Sequence, residues 1–215
     1  MISNEENIIA WNSYFYPHTD TFINKLNIKD KAELQKKDAS ISLKKLNILL
    51  LNSDNVTIFD SNYLKSIHYF IFNELYPWAG IYRIVYMAKN FSCFSSVEEI
   101  ERNLTDTINI MNTDIEKVTN PNELISFVAS NYISLQNIHP FREGNGRAIK
   151  AFMTIFIQNK TRSNNYLGPY TIDWGKIDND ALNKAMPLAK AFPGSLEQEF
   201  KKALKPCKSK IKRKR

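Results

Sequence analysis

The sequence predicts a mainly α-helical protein with one small β element in its middle. Apolar residues recur at helical spacing along most of the chain. Only six of the 215 residues are glycine, which fits helices better than a turn-rich sandwich. Residues with β propensity gather in one stretch, 82–88, behind a helix-breaking segment at residues 76–80. Because 43% of the residues are hydrophobic, the chain can build a core, and disorder by composition is disfavoured.

Two helices are predicted before the β element. Residues 30–51 and 61–75 each repeat leucine or isoleucine every three or four positions, as a helix with one buried face does. Asp60 or Ser61 is a suitable cap for the second helix.

The β element and a series of helices follow. Residues 82–88 predict a strand and residues 92–95 a second extended piece, and together they would form a hairpin. A Ser-Val-Glu-Glu capping box at residues 96–99 predicts the start of the next helix. The remaining helices are expected from Asn120-Pro121 to just before Pro140, over residues 144–160, over 178–190 and over 195–204.

The net charge of +7 arises at the end of the chain. Nine lysines and arginines follow residue 200, and the rest of the chain is near neutral. We expect one compact domain over residues 1–204 and a disordered basic tail over residues 205–215. Such a tail can bind nucleic acid weakly through counterion release, but a solvated end is the simpler interpretation.

Cysteine usage and hydropathy predict a cytoplasmic protein that does not enter a membrane. Cys93 and Cys207 lie far apart and lack a zinc-binding spacing, which favours free thiols in a reducing compartment. No apolar run approaches the roughly 20 residues that a membrane span needs. Residues 1–11 lack the basic-then-apolar organisation of a signal peptide.

Residues 139–147, His-Pro-Phe-Arg-Glu-Gly-Asn-Gly-Arg, have the parts of a phosphate site between two predicted helices. Gly144 and Gly146 leave backbone N–H groups open to a ligand at a helix start, where the helix dipole favours an anion. Asn145 adds a side-chain donor, and Arg147 adds a fork-shaped cation suited to phosphate oxygens. The stretch therefore predicts phosphoryl-type transfer, which depends mainly on positioning and charge neutralisation.

Two further residues of this loop suit the chemical step. Glu143 would repel a phosphate by itself, but it makes sense as the ligand of a Mg²⁺ that bridges phosphate oxygens. His139, at the other end of the loop, can accept the proton of an attacking hydroxyl as a neutral imidazole. Each of these residue types, taken singly, is more often structural. Their arrangement at one loop–helix junction favours a functional site.

Residues 139–147 resemble the signature of the Fic family, H-P-F-x-[D/E]-G-N-[G/K]-R, at every specified position. The resemblance continues upstream in the Tyr-Pro-Trp-Ala-Gly segment at residues 76–80, in Arg83, and in a Tyr-Pro-x-Thr-Asp opening at residues 16–20. It covers about residues 14–204. The resemblance implies a Fic-type helical bundle with a small β-hairpin flap.

The same resemblance implies an activity and a role for each loop residue. The protein would be an adenylyltransferase that moves AMP from ATP onto a Tyr, Ser or Thr hydroxyl of a target protein. His139 would be the general base, Glu143 the Mg²⁺ ligand and Phe141 the buried anchor of the loop. The residues that would bind the phosphates of ATP are Gly144, Asn145, Gly146, Arg147 and Lys150. The target-docking flap, which would align a target segment by β-strand addition, would comprise Met87, Ala88, Lys89, Asn90, Phe91, Ser92, Cys93, Phe94 and Ser95.

One phosphate-binding position departs from the family pattern. Many family members carry a second arginine three residues after the first, at the γ-phosphate, and here that position is Lys150. Three residues along a helix keep Lys150 on the same face as Arg147. Lysine supplies the charge but not the bidentate fork of arginine.

Two other functions are alternatives. A Fic-type phosphotransferase is one, although that branch usually carries lysine where this chain has Gly146. A nucleic-acid-binding module led by the basic tail is the other, although no recognised nucleic-acid motif occurs in the rest of the chain. Small members of the family often act as toxins, and type II topoisomerase subunits are targets of some of them.

The family's inhibitory helix has the pattern [S/T]-x-x-x-E-[G/N]. The chain contains only partial matches, at Ser95 to Glu99, Thr119 to Glu123 and Ser195 to Glu199, and none has Gly or Asn at the last place. We therefore expect a separate antitoxin-like protein to supply the inhibitory glutamate.

Overall fold

The computed structural model describes residues 3–89, 92–189 and 194–207, which form eight α-helices, four short strands and three 3₁₀ turns. The helices are α1 (Asn4–Asn12), α2 (Lys31–Leu51), α3 (Ser61–Phe72), α4 (Ile100–Asp114), α5 (Pro121–Ile138), α6 (Asn145–Arg162), α7 (Asn179–Ala189) and α8 (Gly194–Ala203). The strands are β1 (Ala88–Lys89), β2 (Ser92–Cys93), β3 (Tyr170–Ile172) and β4 (Leu204–Pro206), and the 3₁₀ turns are Val97–Glu99, Ile115–Lys117 and Trp174–Lys176. β1 pairs antiparallel with β2, and β3 with β4. The mainly α fold with a small hairpin is confirmed.

The helices α5 and α6 form the centre of the bundle. α6 packs against α3, α5 and β3, while α5 also packs against α4 and α8. The ring of Phe156 lies 5.0 Å from that of Phe59 and 6.1 Å from those of Phe127 and Phe152, measured between centroids. Buried apolar side chains on α6 are Ala148, Ile149, Ala151, Phe152, Met153, Ile155, Phe156 and Ile157. This packing fixes α6, whose first turn carries the predicted phosphate site.

Local signals set the ends of α3 and α5 as the sequence predicts. The side-chain oxygens of Asp60 and Asn120 accept backbone N–H groups from the first turns of α3 and α5, which satisfies donors that a helix start leaves free. Pro121 occupies the first position of α5, where its missing N–H costs nothing. α5 ends at Ile138, two residues before Pro140.

The predicted strand over residues 82–88 is wrong, since only Ala88 belongs to a strand. The N–H groups of this segment pair with other parts of the fold and not with a neighbouring strand. The pairs are Arg83 N–H with Pro140 O at 2.9 Å, Ile84 N–H with Tyr14 Oη at 3.3 Å and Tyr86 N–H with Asn7 Oδ1 at 2.8 Å. The segment instead joins the N-terminal region to the loop at Pro140, and no local pattern reveals these contacts.

The predicted capping box at Ser96 and Glu99 starts a 3₁₀ turn and not an α-helix. The Ser96 hydroxyl donates to Glu99 Oε2 at 2.7 Å and accepts no backbone N–H group. α4 therefore begins only at Ile100, and the apolar stripe predicted for it is buried from that residue onward.

The sequence predicts neither α1 nor the second sheet, and the second sheet changes the predicted start of the tail. Lys205 and Pro206, assigned to the disordered tail, lie in β4 and pair with β3. The N–H group of Cys207 donates to Pro169 O at 2.6 Å. Residues 208–215 lie outside the described residues, so their assignment as a disordered tail stays a prediction, as does the division into domain and tail.

Two further predictions concern the thiols and the membrane. Cys93 is exposed and Cys207 is half-buried, and both are free thiols. None of the helices in the described part of the chain is long and apolar enough to cross a bilayer.

Replacing Phe156 with alanine is expected to lower the free energy of unfolding by about 3–5 kcal/mol, because the removed ring leaves a cavity in the aromatic core. Ile110→Ala is the control, since the Ile110 side chain is 56% exposed and its loss should change stability by less than about 0.5 kcal/mol. Urea unfolding followed by circular dichroism measures both. Equal stability of the two variants would contradict the central position of α6.

Candidate active site

The predicted site is a tight loop between the C-terminus of α5 and the N-terminus of α6. His139 ends α5 in the left-handed region, with φ 50° and ψ 60°. Gly144 precedes α6 with φ 83°, a conformation that favours glycine. The two left-handed residues reverse the chain within six residues, so the imidazole and the start of α6 lie on the same short loop.

The start of α6 offers backbone donors that a ligand can use. The N–H groups of Asn145, Gly146 and Arg147 form the first turn of the helix, where no intrahelical acceptors exist. Gly144 has no side chain with which to cap them. The positive end of the helix dipole therefore remains available to an anion, as the sequence predicts.

The Asn145 side chain holds the loop together and does not face a ligand. Its Oδ1 accepts the Phe141 N–H at 2.9 Å, its Nδ2 donates to Phe141 O at 2.7 Å, and it is buried. The side-chain donor predicted for phosphate is thus used inside the loop, because the turn leaves the backbone of Phe141 without other partners. Only the backbone N–H of Asn145 stays with the anion site.

Phe141 anchors the loop against His68. Phe141 is fully buried, and its ring stacks on the imidazole of His68 with centroids 3.8 Å apart. The Nδ1 of His68 accepts the Gly80 N–H at 2.8 Å, so its Nε2–H donates to Glu143 O at 2.9 Å. Burial lowers the pKa of His68 to about 4, and the ring is neutral at pH 7. His68 therefore fixes the backbone of Glu143, a role that the sequence does not predict.

The imidazole of His139 is held between the loop and the flap. Its ring stacks on that of Phe94 with centroids 3.9 Å apart and an interplanar angle of 9°. The side chain is half-buried, which leaves part of it accessible to a substrate. This places the predicted base directly beside the flap.

The buried side chain of Arg83 donates hydrogen bonds to backbone carbonyls at the end of α5, at the start of the loop and on both sides of the flap. Its Nε donates to His139 O at 2.8 Å, and its other nitrogens donate to Val85 O at 2.6 Å, Ser95 O at 2.5 Å and Ile138 O at 3.3 Å. The side chain is 1% exposed. Burial lowers the pKa of Arg83 to about 10, so it remains charged at pH 7. One sequence signal points to this role, since Arg83 lies between apolar and aromatic residues, Ile81 and Tyr82 before it and Ile84 and Val85 after it.

Arg147 points toward α2. Its guanidinium donates to both carboxylate oxygens of Asp38 and to Ser42 Oγ at 2.9 Å, and it lies 4.5 Å above the Phe72 ring. Asp38 in turn accepts the Tyr76 hydroxyl at 2.8 Å. Sequence reasoning missed Asp38 because 109 residues separate it from Arg147.

An open cleft of about 290 Å³ lies beside this network, between α2, residues 20–22 and the loop. Glu143, Arg147, Asp38 and Tyr76 all line it. The Glu143 side chain is exposed, and its Oε1 accepts the Gly144 N–H at 2.9 Å and lies 3.8 Å from Arg147 Nη2. The cleft is therefore lined by charged groups of both signs.

Lys150 is not among the residues that line this cleft. Its Nζ donates to Asn179 Oδ1 at 3.0 Å and lies 5.3 Å from the centre of the Trp174 ring. Burial lowers the pKa of Lys150. Although Lys150 and Arg147 are three residues apart on α6, the structure directs them toward different neighbours.

The predicted flap is a two-stranded hairpin whose base is fixed to the last turn of α5. Phe94 N–H donates to Met87 O at 3.2 Å, and Ser95 N–H donates to Asn137 O at 3.1 Å. Ala88 pairs with Cys93, and Lys89 with Ser92. The predicted flap residues Asn90 and Phe91 lie outside the described residues.

The residues present fit a Mg²⁺ that is shared with a nucleotide. Within the described residues no cluster of three or more His, Cys, Asp or Glu could hold a metal by itself. Mg²⁺ is commonly held by one or two carboxylates together with substrate phosphates and water. The exposed Glu143 carboxylate, next to the free N–H groups of α6, is suited to that arrangement.

Comparison with known proteins decides the family. The Fic/DOC family profile matches residues 58–157. The probable protein adenylyltransferase y4lH of Sinorhizobium fredii is 30% identical over 183 residues, which are 84% of this chain and 88% of that protein. The chain belongs to the Fic/DOC family. The protein adenylyltransferase VbhT of Bartonella schoenbuchensis is 27% identical over 80% of this chain, which spans only 34% of the length of that relative.

Solved structures show the same fold. The crystal structure of BepC from Bartonella tribocorum with bound AMPPNP matches with a TM-score of 0.80 at 23% identity, over 92% of this chain and 98% of that chain. The N-terminal Fic domain of a VirB-translocated effector from Bartonella quintana with bound ADP gives a TM-score of 0.81 at 24% identity, over 91% and 96% of the two chains. The Fic-type helical bundle that the sequence motif implies is thereby confirmed.

Replacing Gly144 with alanine is expected to lower the free energy of unfolding by about 2–5 kcal/mol. An alanine there would have to keep φ at 83°, and its Cβ would overlap the ring of the buried Phe72. Thermal unfolding monitored by circular dichroism measures the loss.

Gly146→Ala is the matched control, because a Cβ at Gly146 meets nothing within 4 Å. This variant should keep or slightly gain stability, as alanine favours helices over glycine by up to about 1 kcal/mol. If both variants lost the same stability, the left-handed turn at Gly144 would not be what holds the loop.

Proposed function

We propose that the protein is an adenylyltransferase that transfers AMP from ATP to a Tyr, Ser or Thr hydroxyl of a target protein. The observation that supports this most is the α5–α6 junction, which joins free backbone donors and a half-buried imidazole in one rigid loop. Nucleotidyl transfer to a hydroxyl mainly requires an anion site for the phosphates and a base for the hydroxyl proton, and this loop places both within residues 139–147. The adenylyltransferase names of the relatives support the same reaction.

In the proposed reaction, the neutral imidazole of His139 accepts the proton of the target hydroxyl. The hydroxyl oxygen forms a bond to the α-phosphorus of ATP, and the bond from that phosphorus to the oxygen shared with the β-phosphate breaks. Pyrophosphate leaves with the electron pair of that bond. The N–H groups of Asn145, Gly146 and Arg147 stabilise the charge on the phosphates, because fixed dipoles need no reorganisation.

Glu143 is the proposed Mg²⁺ ligand. When bound, the ion neutralises phosphate charge. His68 supports this role, because its hydrogen bond to Glu143 O fixes the backbone from which the carboxylate extends.

The two cations of α6 are proposed to contribute unequally. Arg147 is already bound by Asp38 and Ser42, so a contact with the β-phosphate would use the part of its guanidinium that faces the cleft. Lys150 would have to exchange one hydrogen bond, to Asn179, for the γ-phosphate. A neutral hydrogen-bond partner is easier to exchange than a partly buried ion pair.

The Fic-type phosphotransferase is the alternative reaction. Gly146 disfavours it, since that branch usually carries lysine at this position. Parallel labelling of a target with α-labelled and γ-labelled ATP separates the two, because only the α label follows a transferred AMP.

The target and its location are proposals by analogy. Type II topoisomerase subunits are the first targets to test, in keeping with a small toxin-like member of the family that acts in the cytoplasm. Labelling of a host lysate with α-labelled ATP, followed by identification of the labelled band, tests this choice. Nucleic acid is a weak partner at most, through the basic tail.

An antitoxin-like partner is proposed to supply the inhibitory glutamate. The three glutamates of the partial inhibitory patterns are engaged elsewhere in the structure. Glu99 pairs with Arg102 at 2.7 Å, Glu123 accepts the Thr119 N–H at 2.7 Å, and Glu199 pairs with Lys202 at 2.5 Å. A partner glutamate would instead reach Lys150, whose charge suits it.

Replacing His139 with asparagine is expected to lower kcat for AMP transfer by about 10²- to 10⁴-fold, because the general base is lost. Asparagine tolerates the left-handed backbone of this position, so the loop is preserved. His18→Asn is the matched control, since His18 is also left-handed, with φ 60°, but exposed. Near-normal labelling of the target by His139→Asn would remove His139 as the base.

Replacing Glu143 with glutamine is expected to raise the Mg²⁺ concentration needed for half-maximal transfer by at least about tenfold, since the amide is a poor ligand for this ion. Glu116→Gln, another exposed glutamate remote from the loop, should leave the Mg²⁺ dependence unchanged. A Mg²⁺ titration of initial rates gives both values. An unchanged midpoint for Glu143→Gln argues against the proposed ligand.

A further inference from the structure

Arg142 is a buried cation that the proposed reaction does not use. Its side chain is 6% exposed, and within the described residues it forms no salt bridge and its Nε has no hydrogen-bond partner. Aromatic rings surround it instead. Its guanidinium carbon lies 3.9 Å from the centre of the Trp11 ring, 4.9 Å from Phe22, 5.3 Å from Phe15 and 5.4 Å from Tyr14.

The four rings come from one segment near the start of the chain. Trp11 belongs to α1, and Phe15 and Phe22 stack on each other at 4.8 Å where the chain forms an isolated β-bridge. Cation–aromatic contact strengthens when the cation is removed from water, as it is here. The signature H-P-F-x-[D/E]-G-N-[G/K]-R leaves the position of Arg142 unspecified, so the motif assigns this side chain no role.

The helix α1 has no fully buried residue, and only Ala10 packs against the core, partly buried. Two other side chains of α1 contact the regions around the site, at two points. At one point the Trp11 ring covers the guanidinium of Arg142. At the other, Asn7 Oδ1 accepts the N–H of Tyr86 at 2.8 Å, one residue before the flap begins. A helix without a buried face contributes little to the core, yet α1 joins the catalytic loop to the root of the flap.

We propose that α1 is a positioning element of the active site, which holds the catalytic loop through Trp11 and Arg142 and the flap root through Asn7. Glu143 directly follows Arg142, so the cage limits the movement of the proposed metal ligand. Tyr86 precedes the flap whose Phe94 stacks on His139. α1 thereby stabilises the spacing between the base and the flap. Its effect on catalysis rests on the proposed function, whereas its effect on loop order does not.

The test compares Trp11→Ala with Ile8→Ala in the full-length chain. Both truncate α1 side chains, but Trp11 contacts Arg142, whereas Ile8 is 60% exposed. Amide hydrogen exchange of residues 139–144 is the first readout, and it needs no transferase activity. Trp11→Ala is expected to speed exchange in this loop by about 3- to 30-fold, the size of one cation–aromatic contact. Ile8→Ala is expected to leave it unchanged, and Trp11→Phe to restore most of the protection.

Asn7→Ala tests whether α1 acts as a unit. If it does, loss of the contact with Tyr86 also speeds exchange in residues 139–144, which α1 contacts through Trp11, one helical turn after Asn7. Exchange that changes only at Tyr86 would overturn the proposal, as would equal exchange in Trp11→Ala and Ile8→Ala. Urea unfolding is measured for all four variants. Trp11→Ala should change the folding equilibrium by no more than about 3- to 30-fold, because one contact is lost, and Ile8→Ala should leave it unchanged. A larger loss of global stability in Trp11→Ala would show that α1 is merely structural.

The second readout is AMP transfer at saturating ATP and target. Trp11→Ala is expected to lower kcat by a factor similar to the change in exchange, with Trp11→Phe close to the wild type. A wild-type kcat in Trp11→Ala contradicts the positioning role. If His139→Asn still transfers AMP while Trp11→Ala loosens the loop, the proposed catalytic assignment fails and the positioning role of α1 stands.

Discussion

The geometry of the site depends on the hydrogen bonds between the buried guanidinium of Arg83 and the backbone carbonyls around it. Its guanidinium donates to four backbone carbonyls, two at the end of α5 and two at either side of the flap. No carboxylate within the described residues neutralises it, so the carbonyl dipoles must. The negative end of the α5 dipole is among them. Moving the flap or His139 away would leave a buried cation unsolvated, which is why the loop and flap are held as one unit.

This constraint orders the electrostatics of the loop. At its first residues the loop follows the C-terminus of α5, whose last carbonyls bind the guanidinium of Arg83. At its other end the loop leads into the N-terminus of α6, whose first N–H groups are free. Backbone carbonyls neutralise the positive charge of Arg83, whereas no side chain caps the positive N-terminus of α6. The proposed anion site is therefore confined to the α6 side, and the imidazole of His139 lies on the other side of the loop, beside the flap. Neutral His68 beneath Phe141 adds no competing charge.

Sequence reasoning succeeded for the local signals at the loop and at the caps of α3 and α5, and it failed at residues 82–88 and at Arg147, where distant partners decide the outcome. The caps Asp60 and Asn120, and the loop at residues 139–147, are defined by neighbours within a few positions, so they were predictable. The strand expected at residues 82–88 is wrong, because its N–H groups bind the loop and the N-terminal region instead of another strand. Arg147 and Asp38 are 109 positions apart in the sequence, and no pattern in either segment predicts their contact.

The same long-range contacts explain why two cations on one helix do not form one phosphate clamp. Helical spacing alone would place Arg147 and Lys150 on a shared face. The carboxylate of Asp38 draws Arg147 toward α2, and the Trp174 ring with Asn179 Oδ1 draws Lys150 toward α7. The lysine side chain is long and flexible, so its ammonium group can move away from Asn179. Because this ammonium group is half-buried, a negatively charged partner stabilises it more than a neutral amide does. Lysine at position 150 therefore suits a contact that forms only when an anion arrives, whether a nucleotide phosphate or the glutamate of an inhibitor.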